Sequence, residues 1–352
     1  MDCKPLLRSL VPDRLAGLVA EAGLPAYRAD QLADWLFARG VFRWEEMTNL
    51  PQALRADLAA RFDLSALEPT ERQVSGDGTR KFLFRLRDGA TVESVIIPME
   101  EHATFCISTQ VGCAMACRFC ATARGGLVRN LEAGEILEQV LRLRHDTAAD
   151  PLPGLGNRQF NVVYMGMGEP LDNWEAVNDS LTCMMDPGGL AMSRRRIQIS
   201  TSGPGEGLRK MVAAEPGVGL TISLGGSTDA ERKAVMPVPG RTSIREVLDL
   251  AVQYVRRTGR RATVAWVLIA GQTDDPEQAA RLARLLRGKP LKVNLIPLNP
   301  LDDGKLLPPD QKEIQAFRRI LADAGIDTFV RISGGQDIAA ACGQLRRRRL
   351  RS

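Results

Sequence analysis

From Thr104 onward, short β-branched runs alternate with longer stretches of helical periodicity, the rhythm of βα units whose strands lie parallel in one sheet. This alternation constrains the fold more than any other feature. Candidate strands lie at 105–109, 161–166, 196–201, 219–224, 262–269 and 292–298, each followed by a loop and a helical pattern, with 328–333 as a last extended piece. Six such units are too few for the usual closed eight-stranded barrel, which leaves an open α/β sheet or a partial barrel. In either architecture, chemistry collects where the strands end.

Upstream of this core, 26–67 carries apolar residues at helical spacing (Leu32, Trp35, Leu36 and Phe37, then Leu54, Leu58 and Phe62), broken by Gly40 and Pro51. A small helical accessory domain is predicted over 1–75. The following KFLFRLRDGATVESVIIP has two alternating runs joined at Asp88-Gly89, a dipeptide that suits a tight turn, so 76–98 is predicted to be a β-hairpin connector. The core then occupies 99–335 and a C-terminal segment 336–352.

Composition excludes several classes. With 352 residues, 44% of them hydrophobic, the chain can bury a full core. The formal charge is +5, and five arginines (Arg346 to Arg349 and Arg351) sit in the terminal RRRRLRS, so the remainder is nearly balanced. Such a tail either engages phosphates or is solvated. No run approaches the roughly 18 apolar residues of a membrane span, and the N-terminal MDCKPLLRSLVPDR mixes charges where a signal peptide needs apolar residues. A cytoplasmic protein without membrane contact is expected. Seven cysteines in so long a chain do not form a disulfide scaffold, and their clustering asks for a metal or redox reading.

That cluster is Gln110-Val-Gly-Cys113-Ala-Met-Ala-Cys117-Arg-Phe-Cys120, three thiols spaced C-x3-C-x2-C directly after the first core strand. Structural zinc takes four ligands, and the histidines, His102 and His145, fall elsewhere. A four-iron cluster held by three cysteinates leaves one iron open for a substrate or cofactor. The spacing favours this cluster over zinc or unligated thiols.

Other candidates lie at strand ends. In GMGEP, the glycines allow close backbone approach and Glu169 can accept hydrogen bonds from an ammonium group, although a tight strand-to-helix turn would read alike. Ser200, Ser223 and Asn299 follow the third, fourth and sixth strands and would share one rim; such residues also cap helices and close turns. Cys106 and Cys342 taken alone would be buried spectators, as Cys3 and Cys183 are expected to be. Alternation sets Glu93 on a face with Val95 and Ile97, opposite Val92 and Ile96, without saying which face is wet.

The cysteine loop after the first of six βα units resembles the radical S-adenosylmethionine superfamily. The stretches ATFCISTQVGCAMACRFCATA, NVVYMGMGEPLDNW, NLIPLNP and DIAAACGQL resemble its RlmN/Cfr branch, most of all the RlmN side, and LPAYRADQLADWLF with EEMTNLP resembles the helical accessory domain of those enzymes. The resemblance implies a partial (β/α)6 barrel and methylation of an aromatic carbon of adenine, giving 2-methyladenosine in 23S ribosomal RNA and in tRNA, with the accessory domain docking RNA. It implies one 4Fe–4S cluster on Cys113, Cys117 and Cys120, and two S-adenosylmethionine molecules per turnover, bound by Gly168, Glu169, Ser200, Ser223, Leu224, Gly225 and Asn299. By the same resemblance Cys342 carries the methyl group, and a 5′-deoxyadenosyl radical takes a hydrogen from it. Glu93 removes the ring proton, and Cys106 resolves the protein–RNA adduct as a disulfide with Cys342. A reducing protein such as flavodoxin or ferredoxin, and a monomeric enzyme, are expected.

Two positions depart from the family pattern: Gly225 in SLGGST stands where relatives place a histidine, and Gly334 where they place an arginine. These leave room for C8-methylation of adenine, or for another RNA or non-RNA substrate. A non-catalytic zinc or RNA-binding module is the reading from another class.

Overall fold

The computed structural model describes residues 4–154, 159–237 and 242–346; Cys3 and the arginines beyond Arg346 lie outside them. The strands are β1 (Leu67–Val74), β2 (Arg80–Leu86), β3 (Thr91–Pro98), β4 (Ala103–Cys106), β5 (Gln110–Gly112), β6 (Leu127–Asn130), β7 (Phe160–Tyr164), β8 (Ile197–Thr201), β9 (Gly219–Ser223), β10 (Ala262–Leu268), β11 (Leu291–Pro297) and β12 (Thr328–Val330). Ten form one sheet in the order β1-β2-β3-β4-β7-β8-β9-β10-β11-β12, and β5 pairs with β6 apart from it. From β1 to β4 neighbours run antiparallel. From β4 to β12 every pair is parallel.

Six helices make the crossovers between those parallel strands: Ala133–Ala149, Trp174–Met185, Gly205–Ala214, Ile244–Thr258, Pro276–Leu286 and Gln311–Asp323. The six predicted βα units are therefore present, and 328–333 contributes a short seventh parallel strand. The sheet ends at β12, which has no ladder to β4, so the barrel is partial.

Strand alternation sorts the side chains. Ile197 and Ile199, Leu220 and Ile222, Val264 and Trp266, and Val293 and Leu295 join the hydrophobic core. The opposite parity is more polar: Gln198 and Ser200, Thr221 and Ser223, and Asn294 line the barrel's interior cavities. Helices cover the apolar parity, and the polar parity is left to surround a site.

The connector is more than a hairpin. Its two strands are β2 and β3, but β1, inside the segment read as helical, adds a third antiparallel strand at the sheet edge, with a bulge between Pro69 and Glu71. The helices of the N-terminal part, Pro12–Glu21, Tyr27–Ala33 and Gln52–Arg61, share one hydrophobic core with the rest of the chain, and the short turn Leu7–Ser9 meets the core helix Ala133–Ala149. Arg8, fully buried, ties them together: its guanidinium donates to the carbonyls of Leu36 (3.2 Å), Leu64 (2.8 Å) and Val41 (2.7 Å) and lies 3.5 Å from Glu138. Glu138 in turn accepts from Ser65 Oγ and the Ala66 N–H. Among the described residues no helix is long and apolar enough to cross a membrane.

Replacing Arg8 leaves three buried carbonyls without their donor and removes one of the cations beside Glu138. Arg8→Met is expected to lower stability by about 3–5 kcal/mol, read as a shift of the urea midpoint; an unmoved midpoint would show that the helical part is not keyed to the core through this residue.

Candidate active site

The three clustered cysteines leave the sheet through the small β5–β6 hairpin. Gly112 (φ +81°) closes it at a point where a Cβ would lie 1.9 Å from the Gly126 carbonyl, so only glycine fits. The Cys113 N–H donates to that carbonyl at 3.0 Å, and Ala116 takes the left-handed conformation (φ +53°) that turns the chain between the first two thiols. Cys113, Cys117 and Cys120 all line one cavity at the C-terminal ends of β7 to β11. Burial raises the Cys113 thiol to about 12 and Cys117 higher still, the other thiols adding to the rise. Unligated, both are neutral near pH 7; a cationic centre must supply the charge that ionises them.

Among the described residues no three His, Cys, Asp or Glu side chains converge as a single-ion site. Three thiols facing one cavity match the three-cysteinate donor set that holds a four-iron centre with one iron left open.

Gly168 and Glu169 form the adjoining wall. Gly168 has φ +106°, and a Cβ there would meet Thr109 and Gln110 at 2.7 Å. The buried Glu169 carboxylate accepts from the Leu171 N–H (3.0 Å), Thr201 Oγ1 (2.6 Å), the Ser202 N–H (2.7 Å) and Ser202 Oγ (2.8 Å). Burial pushes its pKa up, and those bonds pull it back. The net shift is upward, and the chain fills the hydrogen-bonding positions of the carboxyl group against the cavity.

Ser200, Ser223 and Asn299 line the same cavity, as their strand-end positions predict. Leu224 and Gly225 do not. The Leu224 backbone joins Ala265 and Arg232, and Gly225 (φ +71°) lies behind Met236, whose sulfur would be 2.4 Å from a Cβ at 225. Met236 lines the cavity instead.

Cys342 enters from the far end of the chain. The Ala121 N–H donates to Gly343 O (2.7 Å) and Thr122 Oγ1 to Leu345 O (2.6 Å), fastening the C-terminal segment to the cysteine loop. Asn299 Nδ2 donates to Cys342 O (3.0 Å) and to Ser333 Oγ (3.1 Å). Cys342 borders the first cavity and a second one, which Cys106 also lines. Cys106 pairs with Val163 across β4 and β7; burial raises its thiol to about 12, Cys342 adds to the rise and Arg331 opposes it.

Glu93 is not in either cavity wall. It is buried on β3, its Oε2 accepting the Arg346 N–H (2.9 Å) and its Oε1 3.8 Å from Lys81 Nζ, so it stands behind Leu345. Both faces of β3 are dry from Thr91 to Ile96.

Two arginines escaped the sequence reading. Arg232, on the helix after β9, donates to the carbonyls of Ser202, Ser223 (3.0 Å) and Leu224 (2.7 Å), joining the ends of β8 and β9. Arg331 follows β12 and reaches the barrel interior, bordering both cavities. A cation within the apolar-alternating TFVRIS was the signal available for the second; the first had none.

A family model described as the radical SAM superfamily matches residues 107–283, and one described as the ribosomal RNA large subunit methyltransferase N-terminal domain matches 7–64. The dual-specificity RNA methyltransferase RlmN of Anaeromyxobacter dehalogenans is 44% identical over 98% of this chain and 92% of its own length. A probable enzyme of the same name from Symbiobacterium thermophilum is 44% identical over 96% and 90%. A crystal structure of a radical SAM methyltransferase from Sphaerobacter thermophilus superposes with a TM-score of 0.89 at 40% identity, covering 97% of this chain and 99% of that one.

The saturated carboxylate gives a direct test. In Glu169→Gln an amide N–H2 must face two of the four donors, which is expected to cost about 1–3 kcal/mol in a denaturant titration; unchanged stability would mean those bonds are not made.

Proposed function

Because the chain belongs to the RlmN branch of the radical S-adenosylmethionine superfamily, we propose that it methylates RNA at C2 of adenine, giving 2-methyladenosine in 23S ribosomal RNA and in tRNA. The observation that carries this reading is the position of Cys342, on the boundary between the cavity of the three clustered thiols and the cavity that contains Cys106. A methyl carrier has to face its methyl source on one side and its acceptor on the other.

Cys113, Cys117 and Cys120 would hold the 4Fe–4S cluster, with S-adenosylmethionine beside Gly168, Glu169, Ser200, Ser223 and Asn299. When bound, these groups supply the methyl group and the hydrogen-abstracting radical chemistry that an electron-poor ring carbon needs, two cofactor molecules being used per turnover. A cofactor ammonium group beside Glu169 would favour the ionised carboxylate and be held by it. Asn299 holds the Cys342 backbone, so the carrier thiol is positioned by the same rim that receives the cofactor.

Cys106 is the thiol available to resolve an adduct on Cys342. Its sulfur, having lost its proton, bonds to the Cys342 sulfur; the bond from that sulfur to the transferred carbon breaks with its electron pair left on the carbon, which takes up a proton to become the methyl group, and the resulting disulfide is reduced again by an external dithiol. Burial disfavours a free Cys106 thiolate in the resting state, and Arg331 offsets part of that penalty. Glu93 is the proposed base for the ring proton. For that role the backbone at Leu345 and Arg346 must give way to the substrate, since it now stands between Glu93 and the cavities. Action as a cytoplasmic monomer with a reducing protein such as flavodoxin or ferredoxin belongs to the same proposal.

The deciding experiment is nucleoside mass spectrometry of ribosomal RNA and tRNA after incubation with anaerobically reconstituted protein, which reads the carbon and the RNA together. We expect 2-methyladenosine; 8-methyladenosine would reassign the carbon, and unmodified RNA from iron- and sulfide-loaded protein would remove the reading. Cys342→Ala should lower methyl transfer by at least about 10³-fold while cofactor cleavage persists. Retained methylation in that variant would overturn the carrier assignment.

A further inference from the structure

The second cavity has a composition of its own. Arg195, Arg196 and Arg331 line it, and none of its lining residues is acidic. Asn161, Gln198 and Asn294 present amides into it, while Met99 (48% exposed) and Ile332 (91% exposed) stand at its rim. It runs inward to Cys106 and Cys342. It opens at the starts of β4, β7 and β8, where Thr104, Asn161 and Arg196 lie, and at the exit of β12, along the seam where the barrel does not close. An outer cleft with His102 and Glu101 continues from it past Arg195 and Arg196.

Most arginines near the core are committed to carboxylates, as Arg72, Arg80 and Arg129 are. Arg195 and Arg196 are not: among the described residues neither guanidinium is within ion-pair distance of an acid, although Glu101 shares the outer cleft. Unspent cations leading into an acid-free cavity call for an anionic ligand. Amides along the walls and exposed apolar side chains at the rim suit a flat, polar heteroaromatic ring, which they can bond at its edge and cover on its face.

We propose that this seam is the entrance for the substrate strand: Arg195 and Arg196 hold phosphates on either side of a splayed-out nucleotide of single-stranded RNA, whose base passes inward between Met99 and Ile332 to the two thiols. The inference rests on the functional reading above and adds the route and its residues. It gives the barrel two doors. The cofactor is received at the C-terminal ends of the strands and the RNA base through the seam, with Cys342 reachable from both.

The test uses the reconstituted holoprotein and an in vitro transcript of the 23S rRNA domain it modifies. Binding is followed by fluorescence anisotropy over a range of salt concentrations, with methylation KM and uncoupled cofactor cleavage measured alongside. Arg195→Gln/Arg196→Gln, at an exposed and a half-buried position where neither guanidinium has a carboxylate partner among the described residues, should weaken RNA binding by about tenfold or more and flatten the salt dependence by about 1.4 log units per log unit, the slope two single-strand phosphates contribute. KM for RNA should rise and cofactor cleavage stay at the wild-type rate. Arg195→Lys/Arg196→Lys should restore most of the salt slope. Wild-type affinity and slope in the glutamine variant, with the wild-type enzyme methylating the transcript normally, would overturn the entrance and leave the functional reading intact. A wild-type protein that neither binds nor methylates the RNA would remove both.

Discussion

Two hydrogen bonds, from the Ala121 N–H to Gly343 O and from Thr122 Oγ1 to Leu345 O, decide where Cys342 stands. They join positions 223 residues apart in the second case, and they bring the chain's last described segment onto the helix that immediately follows Cys120. Gly343 is required at this junction: it has φ +84°, and a Cβ would lie 3.0 Å from Phe119 O. Asn299 then fixes the Cys342 carbonyl from β11's side. Each bond contributes only about 1 kcal/mol, so the placement of the thiol depends on several weak bonds acting on a short backbone stretch rather than on any single strong one.

The parallel strands were legible because parity and length coincide there. Every predicted core strand overlaps an observed one, the boundaries differing by at most three residues at either end. β1 was not legible. Its sequence LEPTERQV is mostly charged or polar with a proline, and it survives as a strand because it sits at the sheet edge, where a bulge absorbs Pro69 and water covers one side. The β5–β6 hairpin was hidden for another reason: its strands are three and four residues long and serve only to present the cysteines. At the site, residue types announced the thiols, Gly168 and Glu169. They could not announce Arg232, whose work is to bond backbone carbonyls, nor that Glu93 would meet the C-terminal backbone, because both depend on long-range packing.

The two departures from the family pattern have local physical accounts. A side chain at 225 would need the space that Met236 fills, and the Met236 thioether borders the cavity at that point. At 334, a Cβ would fall 2.8 Å from Asp77 Oδ2, and the next residue's N–H donates to that same oxygen. Burial alone would raise Asp77, but bonds from Thr79, Gly335 and Ser75 hold it down at about 2, so the turn before β2 keeps an anion against the segment that contains Gly334. Gly334 therefore follows from how this chain docks its C-terminal segment onto the connector.

Polar groups inside a barrel are costly unless they are bonded, and this interior carries many. The cost is limited because some of these groups bond one another, as Gln198 does to Thr221, and others face cavities rather than packed apolar atoms. Radical chemistry demands the reverse of an open, wet channel, since a carbon radical is quenched by stray hydrogen donors. The partition formed by Met165, Asn294, Arg331, Cys342 and Leu345, which borders both cavities, reconciles the two demands. Each side can be filled by its own ligand, and the sulfur of Cys342 is the shared surface across which a carbon atom can pass.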